Sequence, residues 1–246
     1  MSVHAPSVDR DEVDRFARLA DTWWDPKGAM APLHKLNPAR LAYIRARLVD
    51  HFALDITARR PLAGLRLLDI GCGGGLLSEP LARMGGDVVG ADATAESIDA
   101  ARAHADRAGL AIDYRHTTAE ALAEAGERFD AIVNMEVVEH VADVPAFLAT
   151  CRRLVADDGC MLISTLNRTA RSFALAIVGA EYVLGWLPRG THDWRRFMPP
   201  AELSAELDQA GFAVRDITGL RFSPTTGRWS LDRDTSVNYL GYAVAR

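Results

Sequence analysis

The stretch from Leu65 to Gly86, LRLLDIGCGGGLLSEPLARMGG, constrains this chain more than any other. Leu65, Leu67, Leu68 and Ile70 surround Arg66 and Asp69 in a run of strand length, the pattern of a strand buried on both faces of a parallel sheet. Gly71, Gly73, Gly74 and Gly75 follow; without a Cβ the backbone can turn through φ > 0 and lay its N–H groups against a ligand. Ser78 and Glu79 then offer cap and first-turn residues for a helix, in which Pro80 is tolerated only within the first turn. Strand, glycine turn and helix together make a nucleotide-type cradle.

Spacing narrows the choice of nucleotide. A dinucleotide fingerprint GxGxxG counted from Gly71 would need glycine or alanine where Leu76 stands, and counted from Gly73 it would need one at Ser78. Both registers fail, which argues against a nicotinamide-dependent oxidoreductase. What remains is GxGxG at Gly71, Gly73 and Gly75, preceded by Asp69 and followed by Asp92 at the end of the strand-like run Asp87 to Asp92. This pattern resembles motif I of the class I S-adenosylmethionine (SAM) methyltransferases. The resemblance implies that the loop passes under the methionine part of SAM and that the later carboxylate holds the ribose. The chemistry agrees, because a diol offers two O–H donors and a carboxylate accepts both. The plain alternative is a glycine turn that only packs a helix on a sheet.

Downstream, strands and helices alternate. Val88 to Asp92, Ala111 to His116, Phe129 to Asn134 and Cys160 to Thr165 read as strands, with helices at Ala95 to Ala108, closed by Gly109, and at Val144 to Val155. A helix from Pro199 to Ala210, closed by Gly211, precedes strand-like runs at Phe212 to Leu220 and Val237 to Val244. The expected fold class is α/β: a Rossmann-like class I methyltransferase sheet, mostly parallel with an antiparallel edge strand, with helices on both faces. A chain of 246 residues, 49% hydrophobic, suffices for a single domain over 1–246, with an N-terminal helical flap over 9–60 and an insertion over 166–198. The net charge of -5 argues against a nucleic-acid partner, whose phosphates call for a basic face. Three cysteines without ligand-like spacing and no apolar signal core point to a reducing cytoplasm.

The flap should begin with an amphipathic helix from Asp9 and end near Trp23 and Trp24, which cannot share one helical face. One tryptophan can pack inward while the other covers a ligand or a partner; a packed flap is the plainer reading. Asn37 can cap a helix with Pro38 at its first position, and Arg40 in that first turn suggests a local anion. The segment Phe173 to Leu187 is apolar nearly all round yet too short to span a bilayer. Its flanks carry Arg168, Arg171, Arg189, Arg195 and Arg196 against Glu181 and Asp193. It reads either as a buried helix or as an interfacial one.

Chemistry should reside just past the strand Phe129 to Asn134, in Met135-Glu136-Val137-Val138-Glu139-His140-Val141. One helical turn would put Glu136, Glu139 and His140 on one face. They could then hold a divalent metal such as magnesium, or His140 could act alone as general base, or the three could merely cap local backbone.

Together, Trp23-Trp24-Asp25, PLHKLNPAR at Pro32 to Arg40, LLDIGCGGG at Leu67 to Gly75, MEVVEHV at Met135 to Val141, STLNR at Ser164 to Arg168 and VGAEYVLGWLPRGTHDW at Val178 to Trp194 resemble the bacterial ubiquinone biosynthesis O-methyltransferase family. The resemblance covers nearly the whole chain. It implies SAM contacts at Arg40, Gly71, Gly73, Asp92 and Met135, magnesium at Glu136, Glu139 and His140, and methylation of a catechol-type hydroxyl on a polyprenyl ring. The implied partners are the polyprenyl phenol or quinol, an anionic membrane surface at the inner face of the cytoplasmic membrane, and other enzymes of ubiquinone biosynthesis. A related quinone C-methyltransferase shares fold and cofactor and is the nearest alternative.

Overall fold

The computed structural model describes residues 8, 9, 13, 15, 17, 19–175 and 193–246. Eight strands, β1 (Arg66–Ile70), β2 (Asp87–Asp92), β3 (Asp113–His116), β4 (Phe129–Met135), β5 (Val155–Leu166), β6 (Phe212–Ser223), β7 (Arg228–Asp232) and β8 (Asn238–Ala245), form one sheet. Their spatial order is β3-β2-β1-β4-β5-β8-β6-β7. Strands β1 to β5 run parallel. Strand β8 lies antiparallel between β5 and β6, and β7 closes the sheet as an antiparallel edge strand. Among the described residues the α-helices with defined bounds are α1 (Ala31–His51), α2 (Ser78–Arg83), α3 (Ala95–Ala108), α4 (Ala119–Glu124), α5 (Val144–Leu154), the single turn α6 (Ala170–Ser172) and α7 (Pro200–Gln209).

Both faces of the sheet are covered, and this is why the central strands are apolar at nearly every position. Successive side chains point to opposite faces, so Leu67 enters the core beneath α1 and α2 with Tyr43, Ile44, Leu48 and Leu81, while Leu68 enters the core beneath α4, α5 and α7 with Leu122, Leu148 and Leu203. Strand β4 divides likewise, Ala131 and Val133 to the first core and Ile132 to the second. Helix α3 ends as its sequence requires, with Gly109 left-handed at φ 65. Pro80 falls in the first turn of α2.

Two expectations need correction. Helix α1 starts at Ala31, with Pro32 in its first turn, so Asn37 is not a cap and Pro38 lies in the helix interior. Burial of Leu36, Tyr43, Ile44 and Leu48 along one side outweighs the hydrogen bond that Pro38 cannot donate. Arg40 therefore sits mid-helix, so the first-turn argument does not apply, although an anion, the Glu136 carboxylate, does lie beside it. The second correction concerns the sheet edge, where β6 runs on to Ser223 and turns at Gly227 (φ 66) into β7. The alternating Trp229 and Leu231 after a Thr-Thr-Gly turn carried that signal.

Gly90 lies in the middle of β2 against the ring of Tyr114, where an added Cβ would come 2.5 Å from Tyr114 Cδ1. Gly90→Ala is expected to destabilise the fold by about 1–3 kcal/mol through overpacking. A urea midpoint lowered at unchanged slope is the readout.

Candidate active site

In an open parallel sheet, ligands gather beyond the carboxyl ends of the strands. Here that edge opens into a cleft of about 1050 Å³, bordered by Gly71 after β1, Asp92 at the end of β2, Met135 and Glu136 after β4, and Leu166 at the end of β5. Its volume reaches the top of the usual range for one small ligand, roughly 300–1000 Å³, so two molecules can meet inside it.

The glycine turn forms the floor at one end. Gly71 donates to the Ala91 carbonyl at 2.7 Å and stands at φ +68, where an added Cβ would come 2.4 Å from Val137 Cγ2. Gly73, at φ +52, is covered by the Trp23 ring. Asp92 locks the turn from the next strand: Oδ2 accepts the Gly73 N–H at 2.9 Å and Oδ1 accepts the Thr94 N–H at 2.8 Å. Each carboxylate oxygen keeps further acceptor capacity. Burial pushes the Asp92 carboxyl above its ordinary range, against the pull of those two N–H donors. Beneath the turn Asp69 accepts from Ser78 Oγ at 2.5 Å, and burial lifts its pKa to about 7, with the nearby Asp92 adding to the shift.

The tryptophans part company. Trp23 is buried, lines the cleft and donates to Ser97 Oγ at 3.2 Å. Trp24 stacks on His104 with centroids 3.4 Å apart and planes 2° from parallel, and donates to the Gly74 carbonyl at 2.9 Å. His104 in turn meets the buried Glu79 carboxylate at 2.5 Å. The flap is thus clamped to both α2 and α3. Val8 also bridges to Val141, which brings the start of the chain over the segment after β4.

That segment does not form the helical face expected of it. Glu136 takes the left-handed conformation, φ 58, and only Val138–His140 form a 3-10 turn. Glu136 and His140 therefore line the cleft, whereas Glu139 turns into the core at 4% exposure, where its Oε2 accepts from the Thr165 hydroxyl at 2.9 Å. Burial and the Glu136 charge push the Glu139 carboxyl well above the carboxylate range. Glu136 Oε1 accepts from Ser164 Oγ at 2.8 Å and lies 2.7 Å from Arg40 Nη2. Among the described residues no group of three His, Cys, Asp or Glu side chains is arranged to hold a metal ion. The magnesium set of Glu136, Glu139 and His140 does not fit this arrangement.

Arg40 is buried in the cleft wall; its Nη2 faces the Glu136 carboxylate, while its Nε has no hydrogen-bond acceptor. Met135 lies beside them, buried. At the far end are features the sequence reading passed over: Asn238 at the start of β8, and the rings of Phe222 and Trp229 on the β6–β7 hairpin, 5.4 Å apart and tilted 48° to each other. The apolar segment Phe173 to Leu187 lies mostly outside the described residues; Phe173 and Leu175, at its start, are 46% and 52% exposed.

Sheet order, glycine turn and crevice define a class I methyltransferase. A methyltransferase-domain family model matches residues 37–217. Among solved structures the chain is similar to magnesium protoporphyrin IX methyltransferase from Synechocystis with bound S-adenosylhomocysteine, with a TM-score of 0.64 at 20% identity over 96% of this chain and 94% of that one. A SAM-dependent methyltransferase from Thermotoga maritima aligns with a TM-score of 0.62 at 14% identity, over 97% of this chain and all of that one. These likenesses concern the fold. Sequence relatives are far closer: the ubiquinone biosynthesis O-methyltransferase of Azorhizobium caulinodans is 59% identical over 233 residues, 95% of this chain and 92% of that protein. That of Parvibaculum lavamentivorans is 57% identical over 237 residues, 96% and 94% of the two chains. The chain belongs to the ubiquinone biosynthesis O-methyltransferase family and is a SAM-dependent O-methyltransferase.

Asp69 makes stability pH-dependent. Its folded pKa, about 7, lies above the ordinary 3.8, so its contribution is full below about pH 4 and is lost as pH rises through 7. Against Asp69→Asn, the wild type is expected to lose up to about 4 kcal/mol of unfolding free energy between pH 4 and 7 and little more above. Denaturant titrations of both proteins across that range provide the check.

Proposed function

We propose that this enzyme transfers the methyl group of SAM to a phenolic oxygen of polyprenyl catechol-type intermediates of ubiquinone synthesis. The two steps are demethylubiquinol to ubiquinol and, earlier, polyprenyl hydroxyphenol to methoxyphenol. The supporting observation is the single cleft in which an Asp92-locked glycine turn and His140 both face the same space. Gly71 and Gly73 give the close backbone approach, Asp92 takes the ribose hydroxyls, Met135 packs beside the cofactor, and the Arg40 guanidinium, whose Nε has no acceptor, takes its carboxylate.

SAM supplies a methyl already activated by its sulfonium. What the chain must add is alignment and removal of the phenol proton. His140 accepts that proton as the oxygen attacks, and Glu136, held by Arg40 and Ser164, borders the same space. Glu139 acts from behind, pinning the His140 turn to β5 through Thr165. No step is routed through a metal. Chelation tests this: an enzyme relying on His140 keeps its turnover in EDTA, whereas one that needs Glu139 as a ligand loses it and recovers with magnesium.

Asp92→Ala is expected to weaken SAM binding by roughly 1–3 kcal/mol in calorimetry, the range for hydrogen bonds to a charged group. His140→Ala is expected to lower kcat by roughly 10²–10⁴ at unchanged SAM affinity. The deficit should shrink as pH nears about 10, where the phenol ionises unaided.

A polyprenyl ring is dissolved in the bilayer, and we place the encounter at the inner face of the cytoplasmic membrane. The support is the exposed Phe173 and Leu175 at the head of the apolar segment. Electrostatic attraction is smaller than the arginine count suggests, because Arg168 is paired with Glu202, Arg171 with Asp234 and Arg196 with Asp9. Vesicles containing anionic lipid should therefore retain the protein, with only partial release by salt. Leu184→Glu, outside the described residues, should reduce both retention and turnover of long-tailed substrate while sparing a short-tailed one. Cosedimentation and paired kinetics read the two effects.

A further inference from the structure

Along the open edge of the sheet the strands follow in the order β2, β1, β4, β5, β8. At roughly 4.8 Å per step, Asn238 at the start of β8 stands about 19 Å from Asp92 at the end of β2. The cofactor end and the Asn238 end of the cleft are therefore different places, with the Met135–His140 segment between them. Asn238 is 7% exposed, lines the cleft, and its side-chain Oδ1 has no hydrogen-bond partner. A buried acceptor left unpaired is costly, and one held at a cleft wall is a ligand contact in waiting.

The position is rigid. Asn238 pairs with Leu166 in the sheet, the Asn167 N–H donates to the Val237 carbonyl at 2.8 Å, and Asn167 Nδ2 donates to the Thr235 carbonyl at 2.9 Å. Thr169 Oγ1 donates to the Ser236 carbonyl at 2.6 Å. Beyond β8 the β6–β7 hairpin continues the wall with Leu220, Phe222 and Trp229.

We propose that Asn238 and this hairpin form the acceptor subsite: Asn238 Oδ1 receives the ring hydroxyl that is not being methylated, and Phe222 and Trp229 take the isoprenoid substituent. The proposal rests on the reading of the chain as a catechol O-methyltransferase and deepens it. Two strand steps separate β4 from β8, about 10 Å, which leaves room for the two adjacent hydroxyls of one catechol with a hydrogen bond of about 2.8 Å to either wall. A site built to accept a substrate hydroxyl rejects the analogue lacking it, because its own polar atom is then left unpaired.

The test uses the full chain, SAM, and two short-tailed rings, a catechol and the corresponding monohydroxy ring. The wild type is expected to show a KM for the catechol about ten-fold below that for the monohydroxy ring. Asn238→Leu should raise the catechol KM about ten-fold, leave the monohydroxy KM and the SAM Kd unchanged, and so abolish discrimination. Asn238→Asp, which keeps an acceptor oxygen in place, should restore much of it. Independently, Trp229→Ala should raise KM for a long-tailed catechol and not for the short one. Equal losses for both rings, a fall in SAM affinity alone, or a Trp229→Ala effect independent of tail length would overturn the subsite. If the wild type methylates neither ring, it is the underlying reading that fails.

Discussion

Between Ile70 and Leu76 every position except Cys72 lacks room for a side chain, and three separate parts of the chain are built against that restriction. A Cβ on Gly71 would strike Val137 from the segment after β4, one on Gly73 or Gly74 would strike Trp23 from the flap, and one on Gly75 would strike Tyr114 from β3. The positive φ angles at Gly71, Gly73 and Gly75 impose the same residue on conformational grounds. Flap, active-site turn and edge of the sheet thus take their positions from one glycine turn. Its own shape is held from the next strand by the carboxylate of Asp92.

Several polar groups around the cleft sit at a cost to stability. Asp69 and Glu139 are carboxyls raised toward neutrality by burial, and Arg40, Asn37 and Asn238 keep unpaired polar atoms in the cleft wall. In a core selected for packing alone such groups would be replaced by apolar ones of similar shape. Their location, all on the carboxyl edge of the sheet or the helix facing it, ties the cost to ligand binding and not to the fold. The apolar layers on the two faces carry the stability, and the edge between them carries the chemistry.

The metal reading illustrates how a local pattern can mislead. Glu136, Glu139 and His140 have the spacing of one helical face, but spacing predicts a face only if the residues are helical. With Glu136 left-handed and only a short 3-10 turn after it, Glu139 is buried in contact with Thr165 while Glu136 and His140 line the cleft. The flanking arginines near the apolar segment show the same gap, since their partners Glu202, Asp234 and Asp9 come from distant parts of the chain.

What the sequence determined by itself was everything governed by short-range periodicity and covalent geometry: the buried parallel strands, the glycine turn, α3 with its Gly109 stop, and the cofactor class implied by the failed dinucleotide spacing. These follow from steric rules acting within a few residues. Tertiary structure decided what depends on partners remote in the chain. It carried α1 through Pro38, because packing under the sheet offset a lost hydrogen bond, and it joined Arg40 to Glu136. It also placed Asn238 and the β6–β7 hairpin at the far end of the cleft, since strand order brings β8 beside β5 although more than seventy residues separate their starting points. Neither the direction of a buried side chain nor the neighbour of a strand is encoded in local spacing; both are set by which surfaces close against each other.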